Sequence, residues 1–394
     1  MTGRRMRRWG AGEVPLLPVG VLLLAHVGFT GNRFVFTLHA IALHASSFQI
    51  GLLLAALMVG PMLFSVGMGR LTDRHGYARV GSVGIAMVFA GSATAAAFPG
   101  LAVLYAASVL TGTGFMATHV ALNTFIGRLT AARFRTDAFS AVALAFSISG
   151  FCTPLLAGAS IELAGYRVAC LVLLGAAVGA GLLLRSAARH HPSGTVRAPA
   201  ARAGAVVELF ADPRLRAVFL TGGLFTMAWD LFTFFAPLQG VRAGLSPVAT
   251  GAIVSALSAG MFAVRLGVAR LTQRIGEWAT MAGALLLVAL VFLVFPLLHA
   301  LPTLVCAAFV LGMGLGCGQP VSMALLYQVA PEGRAGEAVG ARATITSVSQ
   351  TLLPMLLGAL GTAVGLLAVF WSGAVLFTAG AWTARQGIRR ERRS

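Results

Sequence analysis

The stretch Gly69-Arg70-Leu71-Thr72-Asp73-Arg74-His75-Gly76 returns 200 residues later as Ala269-Arg270-Leu271-Thr272-Gln273-Arg274-Ile275-Gly276. The same ungapped offset pairs Ser46 with Ser246, Gly51 with Gly251, Leu57 with Leu257 and Gly60 with Gly260 upstream of it. Downstream it pairs Gly112 with Gly312, Gly114 with Gly314, Pro154 with Pro354, Gly158 with Gly358 and Gly165 with Gly365. Around the quoted stretch, identity is well above the roughly one-in-ten rate that so biased a composition gives by chance. Constant spacing over such a distance means two homologous halves in tandem. In a membrane chain, parallel halves predict a substrate site at their interface, reached alternately from either side.

The composition demands a membrane. Of 394 residues, 58% are hydrophobic and only 10% are charged, with a mean hydropathy of +0.88. Such a chain cannot hide its apolar surface from water as a soluble globule. Apolar runs near the roughly 20 residues needed to cross hydrocarbon recur from end to end. The first half carries them at 15–41, 47–68, 80–98, 101–126, 138–161 and 167–184, and the second at 217–240, 247–268, 278–298, 303–328, 338–361 and 366–384. The expected fold is an all-α integral membrane protein of twelve transmembrane helices in two pseudo-symmetric six-helix bundles. Its units are 1–184, a cytoplasmic linker at 185–216, and 217–394. The linker centres on Arg189, His190, His191, Pro192, Ser193 and Gly194, and Val206 to Phe210 suit a short interfacial helix.

In a soluble protein, a net charge of +18 would suggest nucleic acid. Here the positions of the charges argue against that partner. Every basic residue is Arg, and only Arg167 and Arg242 fall in loops on the side away from the termini. Clusters at Arg4, Arg5, Arg7, Arg8 and at Arg385, Arg389, Arg390, Arg392, Arg393 place both ends in the cytoplasm by the positive-inside rule. The expectation is a multi-pass plasma (inner) membrane protein, monomeric, with the lipid bilayer and a small-molecule substrate as its partners. Cys152, Cys170, Cys306 and Cys317 all fall inside spans without metal-ligand spacing, and are read as apolar packing residues. No metal site and no cofactor are expected. The first apolar run is too long for a cleaved signal peptide and should remain as the first helix.

The loop GRLTDRHG at 69–76 resembles the signature loop between helices two and three of the major facilitator superfamily, and the weaker copy at 269–276 fits that family's internal duplication. The resemblance covers the whole chain in helix count, two halves and inside termini. It implies a gate built from Gly69, Arg70, Asp73, Arg74, Gly76, Arg270 and Arg274, with Asp73 engaging the start of helix eleven near Arg334 and Glu337 when the cytoplasmic side is closed, against the alternative of a solvated turn. Independently of the family, Gly69 and Gly76 permit a tight interhelical turn, and the charges keep it at the surface. The sequence departs from the family pattern at Tyr77 and Ala78, where basic residues are frequent, and at Gln273, which replaces Asp. Ser108, four residues before Gly112, stands where drug–proton antiporters often carry Arg. Their helix-five pattern is only echoed by Ser149, Thr153, Pro154, Ala157 and Gly158.

Charge within a span marks function by default, since an acid at the bilayer centre costs about 2.5–3.5 kcal/mol on insertion scales. Asp230 is the one acid deep within any span, and Arg33 lies at corresponding depth in the first. The resemblance puts helices one and seven at the cavity, so Asn32, Arg33, Trp229 and Asp230 form the central candidate site. Arg33 and Asp230 are read as a pair that substrate or a proton can break, against the alternative of a permanent structural ion pair. The repeat sets His119 opposite Gln319 in helices four and ten, as a titratable group and a ligand-orienting amide, or else as hydrogen-bonding groups in a glycine-packed seam. Arg265 lies too far toward the cytoplasm to reach Asp230 easily; it either snorkels to the surface or serves anion binding or gating. His26, Asn123, Tyr327 and Gln350 are lesser candidates.

Nothing in the chain suggests an enzyme. The glycines of span ten imitate a nucleotide fingerprint but follow no strand, which makes an ATP-driven pump improbable. The reading is a secondary active transporter of a small organic molecule working by alternating access, with proton-coupled efflux (antiport) first and the proton as coupling ion. Uptake or exchange of an organic anion is the alternative, and a non-transporting membrane sensor the remote one.

Overall fold

The computed structural model describes residues 16–130, 135–190, 212–330 and 335–391. Among the described residues every regular element is helical: α1 (Leu16–Ala42), α2 (Ser47–His75), α3 (Tyr77–Ala97), α4 (Leu101–Leu129), α5 (Arg135–His190), α6 (Pro213–Arg242), α7 (Pro247–Arg265), α8 (Val268–Ile275), α9 (Glu277–Val294), α10 (Leu301–Val329) and α11 (Ala335–Glu391). Ten helical segments are long and apolar enough to cross a membrane. Two of the helices each hold two spans, because α5 turns back at Gly165 (φ 80°) and α11 at Gly365 (φ 82°). This gives the twelve expected crossings. The middle of the linker, with His191 to Gly194 and Val206 to Phe210, lies outside the described residues. Its flanks are helical, Arg185 to His190 prolonging α5 and Pro213 to Arg216 opening α6.

Helix starts and turns repeat between the halves. Ser46 caps α2, accepting from the Gln49 N–H while the Gln49 side chain returns to the Ser46 N–H. Ser246 caps α7 through the Ala249 N–H, with Pro247 in the first turn. The quoted loop corrects one expectation. Gly69 lies within α2, which runs to His75, and Gly76 alone makes the turn, at φ 81° and ψ 156°. That region is essentially closed to residues with a β-carbon. Gly276 repeats it at φ 84° and ψ 161°. The second copy differs in that its helix breaks at Leu266 and Gly267 before α8 resumes.

With twelve crossings, Leu16 and Glu391 share one face, termed here the terminal side. The apolar core is divided accordingly. Phe34, Phe36, Leu53, Leu104 and Ile161, at the far-side ends of the first-half helices, share one continuous core with the second bundle. Leu22, Tyr77, Val88, Ile126 and Leu184, at their terminal-side ends, pack as a separate core. The apolar cores are therefore shared at the far side and separate toward the terminal side, where a polar contact of Arg265 with Ser147 still joins the bundles. Cys170 and Cys317 are buried as expected, but Cys152 and Cys306 are exposed. Their positions on outward helix faces suit an apolar thiol in contact with lipid.

Candidate functional site

α1 and α6 meet where the charges lie. Arg33 is 8% and Asp230 2% exposed, and Arg33 Nη2 stands 3.6 Å from Asp230 Oδ1. The shorter contact of the same nitrogen is a hydrogen bond of 2.8 Å donated to Thr233 Oγ1. Thr233 can accept it because its own proton goes to the Trp229 carbonyl, one turn earlier, at 2.8 Å. The Arg33 guanidinium also lies 4.8 Å from the centre of the Trp229 ring, within cation–π range. Yet Nε and Nη1 of Arg33, and Oδ2 of Asp230, are buried without a partner. Two cationic donors and one carboxylate oxygen thus remain unsatisfied at the boundary between bundles, an arrangement open to a ligand carrying complementary groups.

One face of α1 carries His26, Phe29, Thr30 and Arg33, at the spacing that stacks side chains along a helix. His26 stacks on Phe146 at 4.3 Å and Phe29 on Phe115 at 4.4 Å. His119 closes the cluster, 5.5 Å from Phe115 and 5.6 Å from Phe146. His26 Nδ1 is 3.0 Å from Ser149 Oγ, which is 3.2 Å from Thr153 Oγ1. The cluster joins α1, α4 and α5 in the terminal-side half of the first bundle, where the cores are separate. Two imidazoles among apolar rings offer a site for a planar or apolar body and two groups able to carry a proton.

Other candidates sit elsewhere. Asn32 is wholly buried and donates to Ser92 Oγ at 2.8 Å, tying α1 to α3 and away from Asp230. Arg265 is half-buried. Its Nη1 crosses between bundles to Ser147 Oγ at 3.2 Å. Asn123 donates to the His119 carbonyl at 2.9 Å. The side chains of Gln319, Tyr327 and Glu337, and all of Arg334, lie outside the described residues, as do the terminal clusters at Arg4 to Arg8 and at Arg392 and Arg393. Arg70, Arg74, Arg270 and Arg274 are exposed near the terminal-side turns, with Asp73 half-buried among them. Sequence reading passed over Thr233, Ser147, Phe115, Phe146 and Arg342. Arg342 was detectable as a charge in span eleven; its buried Nε has no partner and faces Gly222.

The far side is sealed by contacts that occur in pairs. A β-carbon on Gly158 would lie 2.5 Å from the Pro247 carbonyl oxygen, and one on Gly358 2.6 Å from that of Ser47. Glu162 Oε2 accepts the Val248 N–H at 3.2 Å, and Thr362 Oγ1 accepts the Phe48 N–H at 3.1 Å. Each pair maps onto the other by the 200-residue offset. This reciprocity is the signature of a twofold relation.

The family model described as Major Facilitator Superfamily matches residues 19–336 and 244–391. No curated protein matches the sequence. Among solved structures, the peptide transporter POT in complex with sulfate superposes with a TM-score of 0.78 at 14% identity, covering 98% of this chain and 96% of that one. The nucleoside transporter NupG, as a mutant, gives a TM-score of 0.77 at 13% identity over 94% of this chain and 99% of that one. At such identities the likeness is one of fold.

Proposed function

The chain belongs to the major facilitator superfamily, whose members are membrane transporters, and from that footing we propose that it exports a small organic molecule by alternating access, driven by protons. The supporting observation is the contact of Arg33 with Asp230 and Thr233, which joins the two halves through a bond that is neither short to the acid nor complete. Substrate or a proton at Asp230 weakens that contact and so changes the relative stability of the two facings. On the positive-inside orientation, with both termini cytoplasmic in the plasma membrane, the present arrangement faces inward. In this reading His26 and His119 serve as further proton carriers.

A second reading, uptake or exchange of an organic anion, is favoured by one observation: Arg33 Nε and Nη1 have no partner. A carboxylate is the ligand that a planar guanidinium fork takes best. Reconstitution into liposomes separates the two. With a pH gradient imposed, a panel of labelled neutral, cationic and carboxylate compounds is expected to include one whose movement collapses when the gradient is removed. Carboxylate counterflow that ignores the gradient moves the assignment to exchange. Binding without any passage identifies a sensor.

A further inference from the structure

A cavity of about 330 Å³ opens at the terminal side of the second bundle, remote from Arg33 and Asp230. Four helices build it. Arg214, Arg216 and Leu220 come from the start of α6, Trp278 from the start of α9, Gln328 from the end of α10 and Gln386 from the end of α11. We propose that this cavity binds the phosphate headgroup of an anionic phospholipid, with an acyl chain leaving along Leu220.

The charge is available. Arg214 and Arg216 are exposed, and among the described residues neither forms an ion pair. The neighbouring acids Asp212 and Glu277 are held by other partners rather than by these arginines, Asp212 accepting the Arg214 backbone N–H at 2.7 Å and Glu277 accepting from Gln328 Nε2 at 3.1 Å. The depth is also right. Arg216 lies at the threshold of the apolar run that begins at residue 217, and the buried Trp278 ring forms the cavity's apolar floor. Leu220, one turn deeper on the same face, is 52% exposed. An amphiphile uses that surface, whereas a free anion does not. Gly387 lets the Trp278 ring lie against α11, where a β-carbon would collide with it.

Duplication does not account for the site. Val14 and Leu16 stand 200 positions before Arg214 and Arg216, so the charges are present in one half only. Basic pockets between helices on the cytoplasmic side are a general solution for anionic headgroups.

Native mass spectrometry of the full-length protein tests the proposal, with dioleoyl phosphatidylglycerol, dioleoyl phosphatidylcholine and inorganic phosphate as probes. One saturable phosphatidylglycerol is expected, held about tenfold or more tightly than phosphatidylcholine, on the basis of two surface arginines. Arg214→Gln with Arg216→Gln should abolish that preference, and the corresponding double Lys variant should retain most of it. Equal retention of both lipids by the wild type overturns the proposal. So does a preference unchanged in the Gln variant. Displacement of the lipid by millimolar inorganic phosphate, with equal thermal stabilisation by phosphate alone, makes it a free-anion site and also overturns it.

Discussion

Arg33 donates a 2.8 Å hydrogen bond to Thr233, the residue 200 positions further along the same chain and its own counterpart in the repeat. A residue touches its counterpart only beside the axis that relates the halves. The charged contact therefore sits beside the axis that relates the halves. In the alternating access proposed above, a small change in occupancy there would act on both bundles. The far-side contacts of Gly158 with Pro247 and of Gly358 with Ser47 lie at the rim, where the same rotation gives the largest displacement.

Removing one member of the central pair should cost more than removing both. Asp230→Asn leaves a buried guanidinium without its acid, a change worth about 3–5 kcal/mol when a buried pair is broken. Arg33→Ala combined with Asp230→Ala should recover part of that loss in thermal unfolding of the purified protein, while neither variant transports. Wild-type transport by Asp230→Asn would make the pair dispensable.

The far-side seal depends on two glycines. Gly158→Val and Gly358→Val each force a side chain into the facing backbone carbonyl, and should hold the far side apart. Spin labels at Leu163 and His299, both exposed, should lie farther apart in either variant than in the parent. An unchanged distance distribution would show that these contacts do not govern closure.

Two caps from the opposite bundle hold the helix starts at that seal. Glu162→Ala and Thr362→Ala each expose a backbone N–H, of Val248 and Phe48 respectively, at a cost of about 1 kcal/mol for each lost cap. The double variant is expected to shift the facing equilibrium further than either single one. The same label pair reads this as a growing long-distance population.

The signature loop makes a sharp distinction between its glycines. Gly76→Ala should destabilise the protein by about 1–3 kcal/mol, because the backbone there is open essentially to glycine alone. Gly69→Ala, within α2 and with open space around it, should be neutral or stabilise by up to about 1 kcal/mol. Melting temperatures of the two variants decide the matter, and equal effects would place both glycines in the turn.

The histidine cluster is separable into packing and protonation. His26→Phe preserves a ring against Phe146 and removes the link to Ser149. Folded yield should be unchanged, whereas any response of transport to an imposed pH gradient should weaken, more so with His119→Gln added. A full response in the double variant would leave Asp230 as the proton carrier.

The duplication was plain in the sequence because tandem copying preserves spacing, and spacing survives when most side chains have changed. It determined the twelve crossings and the paired positions of Gly76 with Gly276 and of Gly165 with Gly365, while Arg33 and Asp230 became candidates separately, since charge in a hydrocarbon span stands out from composition alone. Tertiary structure alone decided what those groups touch. Asn32 adjoins Arg33 in sequence, yet the 100° turn between successive helical residues sends it to Ser92 and Arg33 to Thr233. Phe115 and Phe146 read as ordinary apolar residues until three helices bring them around His26, and Arg265 reads equally as a snorkelling or an anion-binding cation until α5 offers Ser147. Periodicity is a local property of one helix; contact between residues more than a hundred positions apart depends on how helices are placed, which no single stretch of chain encodes.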